Sequence, residues 1–368
     1  MVRIPEHIQK LEAYKAGRPI PEVLKQYGLS RAIKLASNEN PLGASPKAVE
    51  AMVASVNDVA FYPNGGKSLR EVLATHYGLE LDQVIAGAGS EGVMDTIMRT
   101  FLEPDDEVVT SAGTFVGFYV IARTLNVEMR LAPLKDYEYD LDAMLSLITE
   151  KTRMIYLANP NNPTGSYFTR EEFERFYERV PKNILIIHDE AYYDFAIDDA
   201  ADYPTYLTDI RPNLVTFRTF SKSHGLAGIR IGFGTGPSEL ILPALKVKLP
   251  FEPNTLAQIA GIAALDDVEF LKQTIEVNRQ GKQQLAKALA DLEIRFIDTY
   301  ANFFCMVFES AEIAKQVTEN LERHGVITRH LAGFMLPECV RLSIGTREQN
   351  EEAIAAIQDV MEEIRMTA

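Results

Sequence analysis

Between about residue 70 and residue 235, short apolar runs alternate with amphipathic stretches. The runs are "VIAGAG", "EVVTS", "VEMRLA", "RMIYLANP", "NILIIHDE", "NLVTFRTF" and "IRIGFG". They are rich in Val, Ile, Leu and aromatic residues, and they are apolar at successive positions, not alternate ones. That pattern predicts strands buried on both faces, hence a largely parallel sheet. The stretches between them carry helix signals. "TREEFERFYERV" opens with a capping box, Thr169 with Glu172, and sets Phe173, Phe176, Tyr177 and Val180 on one face. Helices covering both faces of a parallel sheet make an α/β domain.

The pattern changes after about residue 265. Long charged helices are predicted over 268–292 and 311–324, the second stopping at Gly325. The strand candidates "FFCMVFE" and "VRLSIG" interrupt them, and a last helix begins at a second capping box, Thr346 with Gln349. The expected organisation is a large α/β domain over 45–265 and a smaller α+β domain built from 1–44 and 266–368. At 368 residues the chain is long enough to need two such units.

Composition narrows the function classes. Hydrophobic content of 46% with 24% charged residues is ordinary for a globular chain. A net charge of −15 argues against nucleic acid or an anionic membrane surface as partner, because both call for a basic footprint. No apolar run approaches the roughly 20 residues that span a bilayer, and "MVRIPEHIQKLEAYKAG" has no signal-peptide core. With only two cysteines, Cys305 and Cys339, a reducing, cytoplasmic compartment is expected. Neither CxxC nor HExxH occurs, so no metal site is expected.

The candidate chemistry lies where strands end, the place at which open α/β sheets bind ligands. "VIAGAGSEGVMDTIMRTFL" runs from a strand through a small-residue turn into a helix whose start would point the amides of Gly89, Ser90 and Glu91 outward, which suits a phosphate. Read alone, it is equally an ordinary βα turn with Ser90 as its cap. In "ANPNNPTG", Pro160 and Pro163 fix the backbone around Asn161 and Asn162, holding an amide at a set position or simply forming a turn. "IIHDEAYYDF" ends a buried strand at Asp189 with Tyr192 three residues on. A carboxylate there needs a cation, either an arginine of the protein or a protonated ring nitrogen. In "TFSKSHGLAGIRIGFG", Lys222 is walled by apolar residues, with Thr219, Ser221 and Arg230 nearby. Burial near other cations frees its amine as a nucleophile able to form a Schiff base with an aldehyde. A phosphate cradle, an amine nucleophile, a carboxylate for a pyridinium nitrogen, and an amide and phenol for a ring hydroxyl together describe a pyridoxal 5′-phosphate site.

These stretches, with "KLASNENPLGASPKA", "YPNGG" and "VRLSIGT", resemble the fold-type-I pyridoxal-phosphate aminotransferases of class I/II, and within them the histidinol-phosphate aminotransferases. The resemblance runs nearly end to end. It implies an α/β fold with a mostly parallel sheet in the large domain. It implies that Lys222 holds the cofactor and moves the proton, that Asp189 pairs with the ring nitrogen, and that Asn162 and Tyr192 bind the ring oxygen. Gly89, Ser90, Glu91, Thr219, Ser221 and Arg230 would hold the phosphate, and Phe115 would stack on the ring. Tyr62 would reach the neighbouring site of a homodimer. Arg341, Arg329, Asn38 and Tyr14 would meet the substrate, an amino donor or a 2-oxo acid acceptor. Aromatic amino acid aminotransferases, and decarboxylases of phosphorylated amino acids, share the same stretches. The sequence departs from the family at "GSEG", at Gly113 where proline is usual, at His224 where an aromatic is common, and at Phe115 where tyrosine is usual.

Overall fold

The computed structural model describes residues 2–11, 17–200 and 202–367. Each predicted run of the first region becomes a strand. β1 (Val84–Gly87), β2 (Glu107–Ser111), β3 (Glu128–Ala132), β4 (Thr152–Ala158), β5 (Leu185–Asp189), β6 (Leu214–Thr219) and β7 (Gly232–Thr235) form one sheet in the order β1-β7-β6-β5-β4-β2-β3. Six strands run the same way, and β7 runs antiparallel to both its neighbours. The segment from Phe220 to Ile231 contains a short 3₁₀ turn at Ala227–Ile229 and no crossover helix, so the chain returns beside β6 in the opposite direction. The run "IRIGFG" therefore begins its strand later than its apolar pattern suggests. Arg230 takes a left-handed conformation, φ 60° and ψ 74°, and breaks the run.

The inner strands have the predicted two-sided burial, whereas in the edge strand β3 Glu128 is exposed and only Ala132 is buried. Met154, Tyr156 and Ala158 of β4 pack in one layer with Val93, Ile97 and Phe118, whereas Ile155 and Leu157 pack in the other with Phe173 and Phe176. Full burial of one such side chain contributes roughly 1.5–3 kcal/mol. The first layer is closed by α1 (Gly89–Phe101) and α2 (Val116–Thr124), the second by α3 (Arg170–Arg179). The Thr169–Glu172 capping box of α3 is formed in both directions. The cap of α1 is Ala88, so Ser90 lies within the first turn and its amide is among those that helix geometry leaves free.

A second sheet of four antiparallel strands, in the order β10-β11-β9-β8, is built from β8 (Arg295–Ile297), β9 (Phe303–Val307), β10 (Arg329–His330) and β11 (Cys339–Ser343). It packs under α4 (Val268–Asp291), α5 (Ala311–Arg323) and α6 (Arg347–Thr367). α5 ends at Arg323, and Gly325 follows at φ 81°. α6 starts at its predicted box: the Thr346 amide donates to Gln349 Oε1 at 3.0 Å and the Gln349 amide to Thr346 Oγ1 at 3.2 Å. Ile33 and Leu35 enter this core beside Leu285, Phe304 and Leu342, and Ile33–Lys34 pairs in parallel with Val326–Ile327. The other face of β9, Cys305 and Val307, rests against the core of the large sheet. No helix among the described residues is long and apolar enough to cross a membrane.

Candidate active site

The parallel register aligns the carboxyl ends of the central strands: Ala158 of β4 lies opposite Asp189 of β5, and Asp189 opposite Phe217 of β6. Beyond these ends lies a cavity of about 250 Å³. Of the residues singled out in the sequence, Ser90, Glu91, Phe115, Asn162, Asp189, Tyr192, Thr219, Ser221, Lys222 and Arg230 all line it. Residues far apart in the chain thus meet because they lie at or near the ends of several strands of one sheet.

At one end stand the hydroxyls and the guanidinium. The Ser221 amide donates to Thr219 Oγ1 at 3.1 Å, and the two hydroxyls are 3.0 Å apart. Arg230 lies across Gly89, which has φ 80°. A Cβ built on that glycine would stand 2.7 Å from Arg230 Nη2, so only glycine admits the guanidinium there. Gly232 serves the same end, because a side chain on it would strike the Ser90 amide nitrogen.

In the middle is Lys222, whose Nζ donates to the carbonyl of Ser37 at 3.4 Å and lies 5.7 Å from the Tyr192 ring centre. Burial, with the Arg341 charge next in importance, brings its ammonium pKa down from 10.5 to about 8. The following residue, Ser223, is tied to Asp194 by a hydrogen bond from its hydroxyl, which fixes the turn carrying the lysine.

At the far end the two adjacent carboxylates of β5 have different fates. Glu190 is buried and ion-paired with Arg218, Nη2 to Oε2 2.8 Å, and accepts the Tyr206 amide at 2.9 Å. Asp189 is buried too, but its hydrogen bonds come from neutral donors, the Tyr156 hydroxyl at 2.9 Å and the Ala191 amide at 3.0 Å. Burial pushes its carboxyl above the ordinary range in spite of those bonds. Such a carboxylate, facing a cavity, suits a cation that the ligand itself brings.

Asn38 and Arg341 stand behind the wall of the cavity. Asn38 adopts φ 56°, donates from Nδ2 to the Tyr192 hydroxyl at 2.8 Å, and is held by Ser343, whose hydroxyl donates to Asn38 Oδ1 at 2.9 Å. Its side chain orients the phenol. Burial pushes the Tyr192 hydroxyl up to about 12, so it stays protonated. Arg341 is buried, donates to Asn162 Oδ1, and donates from Nη2 to the Ala36 carbonyl at 2.8 Å. Phe303 and Phe334 flank its guanidinium at 5.3 and 5.5 Å. Arg329 lies directly opposite Arg341 in the β10–β11 register. Tyr62 is 82% exposed and stacks on Phe251, ring centres 4.4 Å apart. Tyr14 lies outside the described residues.

Sequence reasoning missed Tyr156, Ser37 and Glu39, all on the cavity. Tyr156 left a signal, a tyrosine inside an aliphatic strand, since a buried phenol needs a partner. The carbonyl of Ser37 left none.

The aminotransferase class I and II family model matches residues 30–357. The chain belongs to that family. Among curated relatives, the histidinol-phosphate aminotransferase of Desulfotalea psychrophila is 38% identical over 98% of this chain and 96% of its own length. That of a Geobacillus species is 39% identical over 98% and 99%. Among solved structures, the histidinol-phosphate aminotransferase of Sinorhizobium meliloti, in complex with pyridoxal-5′-phosphate, superposes with a TM-score of 0.91 at 26% identity, covering 99% of both chains. An aspartate aminotransferase of Thermus thermophilus shares the fold, with a TM-score of 0.85 at 21% identity. This member keeps the family's alternation of strand and helix, and its reactive side chains converge at the carboxyl edge of the sheet.

Proposed function

We propose that the protein is a pyridoxal-phosphate-dependent aminotransferase that moves an amino group between histidinol phosphate and 2-oxoglutarate. One observation carries this reading. A lysine of lowered basicity and a buried carboxylate whose hydrogen bonds come from neutral donors face the same cavity, which Ser90, Thr219, Ser221 and Arg230 also line.

The donor set fits the cofactor. Ser90, Thr219, Ser221, Arg230 and the first-turn amides of α1 hold its phosphate, with Gly89 giving Arg230 room. Asp189 would face its ring nitrogen, Asn162 and Tyr192 would face its ring oxygen, and Phe115 would cover its ring face. When bound, pyridoxal phosphate supplies an electron sink that lets the α-proton of an amino donor leave. Lys222 would hold the group through Nζ and would hold or move a proton at that nitrogen. Its pKa of about 8 suits both directions near neutral pH. Tyr156 and the Ala191 amide keep the Asp189 carboxylate aimed at the ring. Asn38 keeps the Tyr192 hydroxyl turned toward it. Arg341 links Asn162 to the N-terminal segment at Ala36, so the ring contact and the substrate cation are held by one hydrogen-bonded chain.

For the substrate, the paired register of Arg329 and Arg341 supports a dianion. Like charges directly opposite across a ladder repel, and a phosphate shared between two guanidiniums offsets that better than a single carboxylate. A panel of histidinol phosphate, phenylalanine, tyrosine and glutamate, each with 2-oxoglutarate or its reverse partner, tests the assignment. Histidinol phosphate is expected to exceed phenylalanine in kcat/KM by about 100-fold or more, because a site built for a polar group is left unpaired by a substrate lacking it. Equal or better turnover of phenylalanine, or release of carbon dioxide in place of amino transfer, would sink it.

We further propose two structural units, 45–265 and 1–44 with 266–368, and a homodimer. Val53 (70% exposed), Val59, Phe61 and Tyr62 (82%) are exposed apolar residues close in the chain, Tyr62 stacks on the exposed Phe251, and apolar surface of this kind supports a protein contact. Tyr62 would then enter the partner's cavity at the phosphate end. Sedimentation should give twice the chain mass, and Tyr62→Phe should weaken cofactor affinity without dissociating the dimer. A monomer at micromolar concentration contradicts this assembly. The free, buried thiols of Cys305 and Cys339 suit a cytoplasmic location, which cell fractionation would test.

A further inference from the structure

Glu91 brings two opposed things to the phosphate end of the cavity. Its amide lies in the first turn of α1, where it favours an anion. Its carboxylate does the reverse: Oε2 lies 3.5 Å from Arg230 Nη2. The other oxygen, Oε1, is folded against the first turn of α2, where a Cβ built on Gly117 would stand 2.9 Å from it. The bare backbone at Gly117 is thus what lets the carboxylate lie there.

The pair is poorly placed to serve stability. Both side chains are about half exposed, 46% for Arg230 and 49% for Glu91, and exposed ion pairs contribute little to folding. Its consequence falls on the ligand instead. Besides Lys222, Arg230 is the one cation among the described cavity-lining residues, and the hydroxyls of Ser90, Thr219 and Ser221 are neutral. With Glu91 beside it, the formal charge that the Arg230–Glu91 pair offers to an entering anion is close to zero. A phosphate monoester carries roughly −1.5 to −2 near pH 7.

We propose that Glu91 is a built-in competitor for the phosphate site: its carboxylate occupies Arg230 in the empty protein, and a phosphate monoester must displace it to bind. The residue would thereby set how tightly the cofactor is held, and its exposed flank gives the carboxylate a path into water when it leaves. The inference rests on the cofactor reading of the cavity given above.

The test is direct binding to apoenzyme, followed by cofactor absorbance, with three probes: pyridoxal phosphate, inorganic phosphate as its competitor, and pyridoxal without phosphate. Glu91→Gln keeps the amide and the length of the side chain and removes the charge. It is expected to tighten pyridoxal phosphate and inorganic phosphate by about tenfold each and to leave pyridoxal unchanged. In an Arg230→Gln background the same substitution should change phosphate affinity by less than about twofold, as expected when the two groups act as a pair. Unchanged or weaker phosphate binding by Glu91→Gln overturns the inference alone, as does an equal shift for pyridoxal. Failure of the unmodified protein to bind pyridoxal phosphate overturns the cofactor reading, and this inference with it.

Discussion

Lys222→Ala is expected to lose transamination by about 10⁴-fold or more while keeping the fold. The size follows from two roles lost together, since a positioned acid–base group alone is commonly worth 10²–10⁴ and the nucleophile that anchors the aldehyde goes with it. The fold should survive because the lysine is a cost to the empty protein. Its ammonium is less stable in the cavity than in water, which is why its pKa falls to about 8. The sign of the linkage follows. Between about pH 8 and pH 10.5 the unfolded chain keeps this proton and the folded chain releases it, so the stability of unmodified apoprotein rises with pH through that window. Below pH 8 the full cost is present. Thermal unfolding of the two apoproteins across pH 7 to 10 checks this. The alanine variant should match or exceed the parent at pH 7, and the difference should shrink as pH rises. A variant that unfolds more easily at pH 7 would show that Lys222 supports the fold and does not strain it.

Asp189→Asn should lower kcat by about 10²–10³-fold with the cofactor still bound, the range typical of removing one fixed electrostatic partner from a water-excluded site. The amide is nearly isosteric: its one oxygen can still accept from the Ala191 amide, and its NH2, in place of the oxygen that accepts from the Tyr156 hydroxyl, can donate to the phenol oxygen instead. What is removed is the charge that keeps a ring nitrogen protonated. The empty variant should be no less stable than the parent, because the substitution relieves a buried carboxylate whose pKa burial has raised. Glu190→Gln makes the informative contrast. It leaves Arg218 buried beside a neutral amide and should destabilise the fold by about 3 kcal/mol or more. Steady-state rates and chemical denaturation of both variants separate the two carboxylates. Loss of kcat below tenfold for Asp189→Asn would remove the aspartate from the reaction.

The two-sided apolar runs made the central sheet legible, because burial on both faces leaves a distinctive sequence pattern, and capping boxes at Thr169 and Thr346 fixed where helices begin. Strand direction was not legible for β7, whose short glycine-rich run carries no record of which way it lies. Its start was displaced by the left-handed Arg230, a backbone choice that composition does not announce. The cavity-lining set could be assembled in advance because its members gather at or near strand ends. Contacts made by backbone atoms, such as the Ser37 carbonyl on Lys222, leave no trace in residue type. Asn38 was expected at the substrate; in the structure its side chain is spent on Tyr192 and Ser343. Position 113, where the sequence departs from the family's usual proline, holds a glycine at φ 81°, a conformation that proline's ring forbids. Leu336 packs close to where a side chain on Gly113 would stand, and the Gly113 carbonyl accepts from Asn161 Nδ2 at 2.9 Å.

Borohydride reduction of the protein as purified with pyridoxal phosphate, followed by proteolysis and mass spectrometry of the labelled peptide, tests the central claim most directly. The account predicts a single phosphopyridoxyl group on Nζ of Lys222, in the peptide around "TFSKSHGLAGIR". A label on any other lysine, or protein left unlabelled while the cofactor is visibly bound, would contradict it.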